Sequence, residues 1–222
     1  MNKRLTDIGS VYGVLFNFQG ELEKMESALH EKPYKEPPKR PVLYIKPKNT
    51  HNHHYGRVEM PEGVSVLQAG PALGIIFERT AVNVPSDRAM DYVAGFTVVN
   101  DISVPHDNFF RPDIKNKVRD GTCPMGSVME KASIHDADML PIRVYVNDKL
   151  VQENNTANLV RPVAQLISDI SQFMTFSKGD ILLAGVPENA PLIGEGDTVR
   201  IDIETVGVLE NRIVPLKEGD CK

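Results

Sequence analysis

Apolar residues recur in short runs along most of this chain, and the spacing inside each run separates strands from helices. Residues 64–81 are rich in Val and Ile, which suit a pleated, half-buried surface, but Gly70-Pro71 interrupts them. That pair predicts a break or bulge, because proline cannot donate to a central ladder. Residues 96–99 form a second buried strand, ending in Asn100-Asp101. Between the two, Ser86 or Asp87 is placed to cap a short helix over residues 88–94 by accepting a hydrogen bond from its first turn. Upstream, residues 10–18 (SVYGVLFNF) read as a strand. Residues 20–30 read as an amphipathic helix with Leu22, Met25 and Leu29 on one face and Glu21, Glu23 and Glu26 facing water.

Residues 31–40 carry three prolines and form an extended connector to a strand over 41–45, with 46–50 leaving it as a loop. Residues 140–146 and 149–152 flank Asn147-Asp148 as a hairpin. Thr156 or Asn158 is a candidate cap for a helix over 163–173, whose Leu166, Ile167, Ile170 and Phe173 make a buried stripe. Two Gly-Asp turns, at Gly179-Asp180 and Gly196-Asp197, each precede a strand, a pattern that suits a barrel or roll closing on itself. The expected class is therefore α+β and strand-rich. Residues 1–60 are expected to form a strand, helix and connector packed on a main domain of residues 61–222.

Composition narrows the function. With 222 residues, 41% hydrophobic and 25% charged, the chain is long enough to bury a core. Its net charge of −5 supplies no basic field for nucleic acid or an anionic membrane, and no apolar run is long enough to span one. No secretion signal is visible near the first residue, so a cytoplasmic protein is the expectation. Cys123 and Cys221 stand far apart, outside any zinc spacing, and Cys123 reads as a packed small residue.

Three features carry candidate chemistry. Asp101 places a carboxylate at the tip of a buried strand, which is costly unless cations or donors compensate it. His51, His53 and His54 cluster in THNHHYG, but the adjacent pair points its rings apart and no carboxylate or Cys sits beside it, so a solvated loop is expected rather than a metal site. Residues 108–125 are long and irregular, in the manner of a loop over a pocket, with Lys117, Arg119 and Asp120 close together. A lysine and an arginine near Asp101 would suit a substrate bearing carboxylates.

Six separated segments then point one way: VYGVLFNF, PVLYIKPKNT, AMDYVAGFTVVNDIS, KVRDGTCPMG, FMTFSKGDILLAGVP and GEGDTVRIDIETVGVLENRIV. In this order, across almost the whole chain, they resemble the fumarylacetoacetate hydrolase superfamily. PYKEPPKRPVLYIKPKNT and RPDIKNKVRDGTCPMG are further similar to the amino-terminal half of the isomerase/decarboxylases of homoprotocatechuate (4-hydroxyphenylacetate) degradation, a half that is a separate subunit in some bacteria. The resemblance implies a mixed β-roll with a few peripheral helices. It also implies a site in which two glutamates spaced E-x-E and an aspartate hold Mg²⁺ or Mn²⁺ against an enolisable oxo acid.

Carried over residue by residue, the two glutamate positions fall on Gly70 and Ala72, and the aspartate on Asp101. Lys117 matches the substrate-site lysine, Asp120 its usual neighbour, and Lys46 a lysine near the pocket. The H-x-x-E dyad falls on Glu21 and Lys24, and the threonine of TGTP on Val186. Asp101 is thus the one metal ligand the chain is expected to retain. Three functions follow as expectations. The first is a subunit, weak or inactive alone, working with a second family chain. The second is an enzyme using replacement ligands such as Glu78 or the histidines. The third is a homodimeric binder of an anionic dicarboxylate anchored by Lys117 and Arg119.

Overall fold

The computed structural model describes residues 8–106 and 113–216. In chain order its strands are β1 (Val11–Leu15), β2 (Val42–Lys46), β3 (His51–His53), β4 (Arg57–Glu59), β5 (Leu67–Gln68), β6 (Pro71–Phe77), β7 (Val93–Asn100) and β8 (Cys123–Met125). They continue as β9 (Met129–Glu130), β10 (Pro141–Val146), β11 (Lys149–Asn155), β12 (Ile181–Leu183), β13 (Leu192–Ile193), β14 (Thr198–Ile203) and β15 (Gly207–Val214). The α-helices are α1 (Gln19–Leu29), α2 (Ile114–Lys117) and α3 (Val163–Ser171).

Among the described residues an eight-stranded sheet runs β2-β1-β12-β6-β7-β8-β3, with β9 beside β7, and a five-stranded sheet runs β11-β10-β14-β15-β4. The pair β13-β5 is separate. Strand-rich α+β is thus the observed class. β1 is wedged between β2 and β12, and β4 pairs with β15, so both larger sheets run across the boundary expected at residue 60.

β6 is buried along its whole length, with β12 and β7 on its flanks. Its alternation sends Leu73, Ile75 and Phe77 into the main core, and Ala72 and Ile76 into a smaller cluster with Val99, Cys123 and Met125 on the opposite face. Phe77 stacks on Phe176 with ring centroids 4.2 Å apart. α3 lays Leu166, Ile167 and Ile170 into the main core, each fully buried and worth about 2 kcal/mol of transfer free energy.

The break expected at Gly70-Pro71 is real: β5 stops at Gln68 and Pro71 opens β6, where its missing N–H costs least. The hairpin turn at Asn147-Asp148 has φ of 50° and 63°, the left-handed pair that matches strand twist.

Several local expectations are corrected by tertiary context. Residues 86–92 form a 3-10 helix behind Pro85, with no side-chain cap from Ser86 or Asp87. The amide that opens α3, that of Val163, is capped by Asp138 Oδ1 at 2.8 Å, not by Thr156 or Asn158. Phe173 lies past the end of α3 and is 53% exposed, so it leaves the buried stripe. His51–His53 is not a loop but β3, paired in parallel with β8. The first part of the expected covering loop, residues 108–112, and Cys221 fall outside the described residues.

Candidate functional site

Asp101 follows the last residue of β7 and is 1% exposed. Its N–H donates to the Gly70 carbonyl at 2.7 Å, while Asn100 Oδ1 accepts from the Gly70 N–H at 2.9 Å. The end of β7 is thereby pinned to the break between β5 and β6, and the approach is too close for any side chain at residue 70. A Cβ there would lie 2.9 Å from the Asp101 carbonyl carbon and nearer still to its oxygen.

Both carboxylate oxygens of Asp101 face cations. Lys46 Nζ is 3.0 Å from Oδ1, Lys117 Nζ donates to Oδ2 at 2.9 Å, and the Tyr44 hydroxyl also donates to Oδ2. The first and last of these groups come from one strand, since Tyr44 and Lys46 are two apart on β2 and project to the same face. Tyr44 pairs with Gly13 of β1, and its ring occupies the space a Cβ at Gly13 would need. Lys117 closes α2, whose first turn is capped by Asp113 Oδ1 accepting from the Asn116 N–H at 3.2 Å. Its ammonium lies 4.3 Å from the Tyr44 ring centroid, a cation–π contact.

Lys46 is fully buried and donates to the carbonyls of Ile102 and Lys117 at 3.1 and 2.6 Å. Those bonds turn its N–H groups away from Asp101 Oδ1, which has no hydrogen bond among the described residues and is held by charge alone. Burial pushes the Asp101 carboxyl up, but Lys117, Lys46 and the Tyr44 hydroxyl together hold it well below the usual carboxylate range. Two ammonium groups against one carboxylate leave the cluster with a surplus positive charge. Beside it, burial pushes the Cys123 thiol up to about 12, which fits the packed residue expected from sequence.

A cavity of about 200 Å³ opens over this cluster. Its wall includes Glu21, Tyr44, Asp101, Lys117, Val186 and Glu188. Glu21 overturns an expectation: it does not face water with Glu23 and Glu26 but turns inward, where its Oε2 accepts from the Phe16 N–H at 2.8 Å. Burial raises its carboxyl from 4.5 to about 7, helped by Glu188 and opposed by the Phe16 N–H and by Lys117.

A carboxyl raised on folding binds more protons in the native state than in the unfolded chain between pH 4.5 and about 7. Stability therefore falls as pH rises through that window. Glu21→Gln keeps the acceptor for Phe16 and removes the charge. Because the side chain is only half-buried, a discounted gain of about 1–2 kcal/mol is expected at pH 8 and none at pH 4, read by thermal denaturation at both values.

The structure gathers some of the expected site residues and not others. Lys117 meets Asp101 at the cavity wall, and Lys46 lies behind it, outside the wall. Arg119 is turned back, its Nε donating to the Lys115 carbonyl at 2.8 Å, and exposed Asp120 accepts from Asn49 Nδ2 at 2.6 Å. Neither lines the cavity. Ala72 is also absent from the wall, sealed in the smaller apolar cluster.

Glu78 is exposed beyond the far end of β6. His51 Nε2 lies 3.1 Å from the Lys46 carbonyl oxygen, and His54 Nδ1 accepts from the Glu210 N–H at 3.0 Å. Among the described residues no three His, Cys, Asp or Glu side chains form a group able to hold a metal ion. Tyr44 joins the cluster without belonging to any of the charged groups that the sequence marks. Its one sequence signal is its place two residues before Lys46 on a strand.

A profile described as fumarylacetoacetate (FAA) hydrolase C-terminal matches residues 10–214. The chain is 39% identical over 206 residues to the 4-hydroxyphenylacetate degradation bifunctional isomerase/decarboxylase of Salmonella dublin, covering 93% of this chain and 47% of that protein. It thus spans about half the length of the curated relatives it matches first. Among solved structures, 5-carboxymethyl-2-hydroxymuconate delta-isomerase from Mycobacterium smegmatis superposes with a TM-score of 0.79 at 26% identity, covering 95% of this chain and 80% of that one. Maleylpyruvate hydrolase from Sphingobium sp. SYK-6, solved with manganese(II) and pyruvate, gives a TM-score of 0.77 at 25% identity, with 94% and 71% covered.

Proposed function

This chain belongs to the fumarylacetoacetate hydrolase family, and from that premise we propose that it is a subunit of an isomerase/decarboxylase of 4-hydroxyphenylacetate breakdown. The reactions of that enzyme are 2-hydroxyhepta-2,4-diene-1,7-dioate isomerisation and 5-carboxymethyl-2-oxo-hex-3-ene-1,7-dioate decarboxylation. This subunit's own pocket does not carry the metal-dependent steps. It works beside a second family chain with a complete E-x-E and aspartate set, or in a homodimer, on a dicarboxylate.

The observation that carries this reading is the state of Asp101. Mg²⁺ and Mn²⁺ prefer several oxygen ligands, and Mg²⁺ gives up its water reluctantly. Here the carboxylate at the family's ligand position is paired with two ammonium groups and a phenol hydroxyl. Residue 70 has no side chain and no room for one, and residue 72 is an alanine inside an apolar cluster. The donor set does not fit a divalent ion. Replacement ligands fare no better, because Glu78 and the histidines are engaged or exposed elsewhere.

Without a polarising cation the barrier to the metal-dependent steps rises by several kcal/mol, about a thousandfold in rate or more. The test is elemental analysis of the purified chain after incubation with Mg²⁺ and Mn²⁺, together with decarboxylase and isomerase assays of the chain alone and mixed with an intact family member. Metal far below one ion per chain, and activity that needs the second chain, are expected. A stoichiometric ion, or full activity from this chain by itself, would overturn the assignment.

A further inference from the structure

A second cavity, of about 580 Å³, opens beside the turn between β3 and β4 and shares no wall residue with the cavity over Asp101. Its walls include Ile8, Asn52, His54, Tyr55, Met125 and Ser127. We propose that this cavity and the Tyr55 ring beside it form the centre of a two-fold interface between two copies of this chain, each copy's Tyr55 entering the cavity of the other. The proposal deepens the subunit reading by naming a partner and a face, and rests on it only for the expectation that the chain works in an assembly.

The turn holds an aromatic side chain outward. Tyr55 is 70% exposed, more than any other large apolar side chain among the described residues. Its φ of 61° lies in the left-handed region, which a bulky side chain seldom adopts, so local preference does not put it there. Strand β15 does. The Glu210 carbonyl accepts from the Tyr55 N–H at 2.8 Å, and the Glu210 N–H donates to His54 Nδ1 at 3.0 Å. Asn211 Nδ2 donates to the carbonyls of His53 and Gly56 at 2.9 and 2.8 Å. The His54 ring braces that of Tyr55, with centroids 3.8 Å apart. A ring fixed in this way has little freedom left to lose on contact, which is what an interface anchor requires.

The hole beside this knob has the chemistry of an interface core, where Tyr and Met are enriched and charge is depleted. Met125 and Ile8 join its floor to the smaller apolar cluster. None of the described residues around it is Lys, Arg, Asp or Glu, in a chain of which these make up 25%. Burial lowers the pKa of His54, whose Nδ1 already accepts a hydrogen bond, so that imidazole is neutral too. The eight-stranded sheet ends at β3, and no further strand among the described residues covers this side.

Two features name a second copy as the occupant. Knob and hole lie side by side on one face, and a two-fold axis through such a face sets each knob against the other copy's hole. Charge agrees. With a net charge of −5 two copies repel unless the surfaces that meet are neutral, because a fixed charge near the axis faces its own kind. A different partner would be selected by opposite charge, and the walls of this cavity offer none.

The experiment is sedimentation velocity of the full chain from roughly 1 to 100 μM, where a dimer is expected to fill in as concentration rises. Tyr55→Asn removes the ring, and asparagine accepts the left-handed backbone more readily, so dimerisation should weaken about 30-fold or more while the Tm of the monomer is unchanged or higher. Tyr55→Lys and Ser127→Glu, both at exposed positions, should each give monomers, and an equal mixture should recover a dimer because the lysine of one copy meets the glutamate of the other. A chain that stays monomeric, a dimer that Tyr55→Asn leaves intact, or single variants that mixing does not rescue would each overturn the proposal. So would a chain that associates only with another family member. A Tyr55-dependent dimer that also binds stoichiometric metal would uphold it while removing the subunit reading. A metal-free monomer, active only with a second chain, would do the reverse.

Discussion

Asp101→Asn is expected to destabilise the fold by about 3–5 kcal/mol, a loss of roughly 10 °C in Tm for a domain of this size. Asparagine fills the same space, so packing is not the cause. The cause is Lys46, fully buried, and Lys117, almost so, which would be left without a counter-charge where water cannot replace it. Adding Lys46→Met to Asp101→Asn should recover part of the loss, because it removes one of the stranded cations, and the double-mutant cycle measures that coupling.

Acid acts on the same cluster. The Asp101 carboxyl is held below its unfolded value, so its contribution is fully present above the ordinary aspartate range and is lost as pH falls through the depressed value. A drop in Tm of a degree or two for Asp101→Asn at neutral pH would mean that the ion cluster does not hold this end of β7.

Rebuilding the family's ligand set should fail, and by a larger margin. Gly70→Glu combined with Ala72→Glu writes the family's E-x-E spacing into the positions that match it by resemblance, but the structure leaves no room for either side chain. A Cβ at residue 70 collides with the Asp101 backbone, which is itself tied down by the 2.7 Å bond between the Asp101 N–H and the Gly70 carbonyl. A carboxylate at residue 72 would enter the apolar cluster of Val99, Cys123 and Met125 without a partner.

Each change alone is expected to cost about 3 kcal/mol or more, enough together to unfold much of a typical domain at 37 °C. Soluble yield, Tm and bound metal check this. A folded double variant holding one Mn²⁺ per chain would show that the site had only lost its side chains and kept its space.

Much of the architecture was written in local pattern. The strand-type apolar run after Gly70, the Gly70-Pro71 break, the Asn147-Asp148 turn and the stripe of Leu166, Ile167 and Ile170 depend on neighbours in sequence, and each appears where the pattern put it. Caps were less legible. Val163 is capped by Asp138, twenty-five residues away, and no reading of the residues beside α3 could find it.

The site divides in the same way. Asp101 stood out because a charged residue at the end of an apolar run demands compensation, and Lys117 because it stands in a charged group in an irregular loop; the two do meet. Arg119 and Asp120 shared that local signal, yet the turn after α2 points them elsewhere. Periodicity along α1 puts Glu21 on the wet face with Glu23 and Glu26, because helical spacing distinguishes two faces but not what each one meets. Which face the cavity touches depends on Glu188 and Lys117, far along the chain.

By itself, then, the sequence determined the strands, the turns and the family, since all of these are properties of residue type and short-range spacing. Only the tertiary structure decided that Asp101 is paired with two lysines, that residue 70 lies too close to the Asp101 backbone for a side chain, and that a glutamate from α1 faces the cavity. The reason is that electrostatic pairing, burial and free volume arise between segments that meet only when the chain has folded.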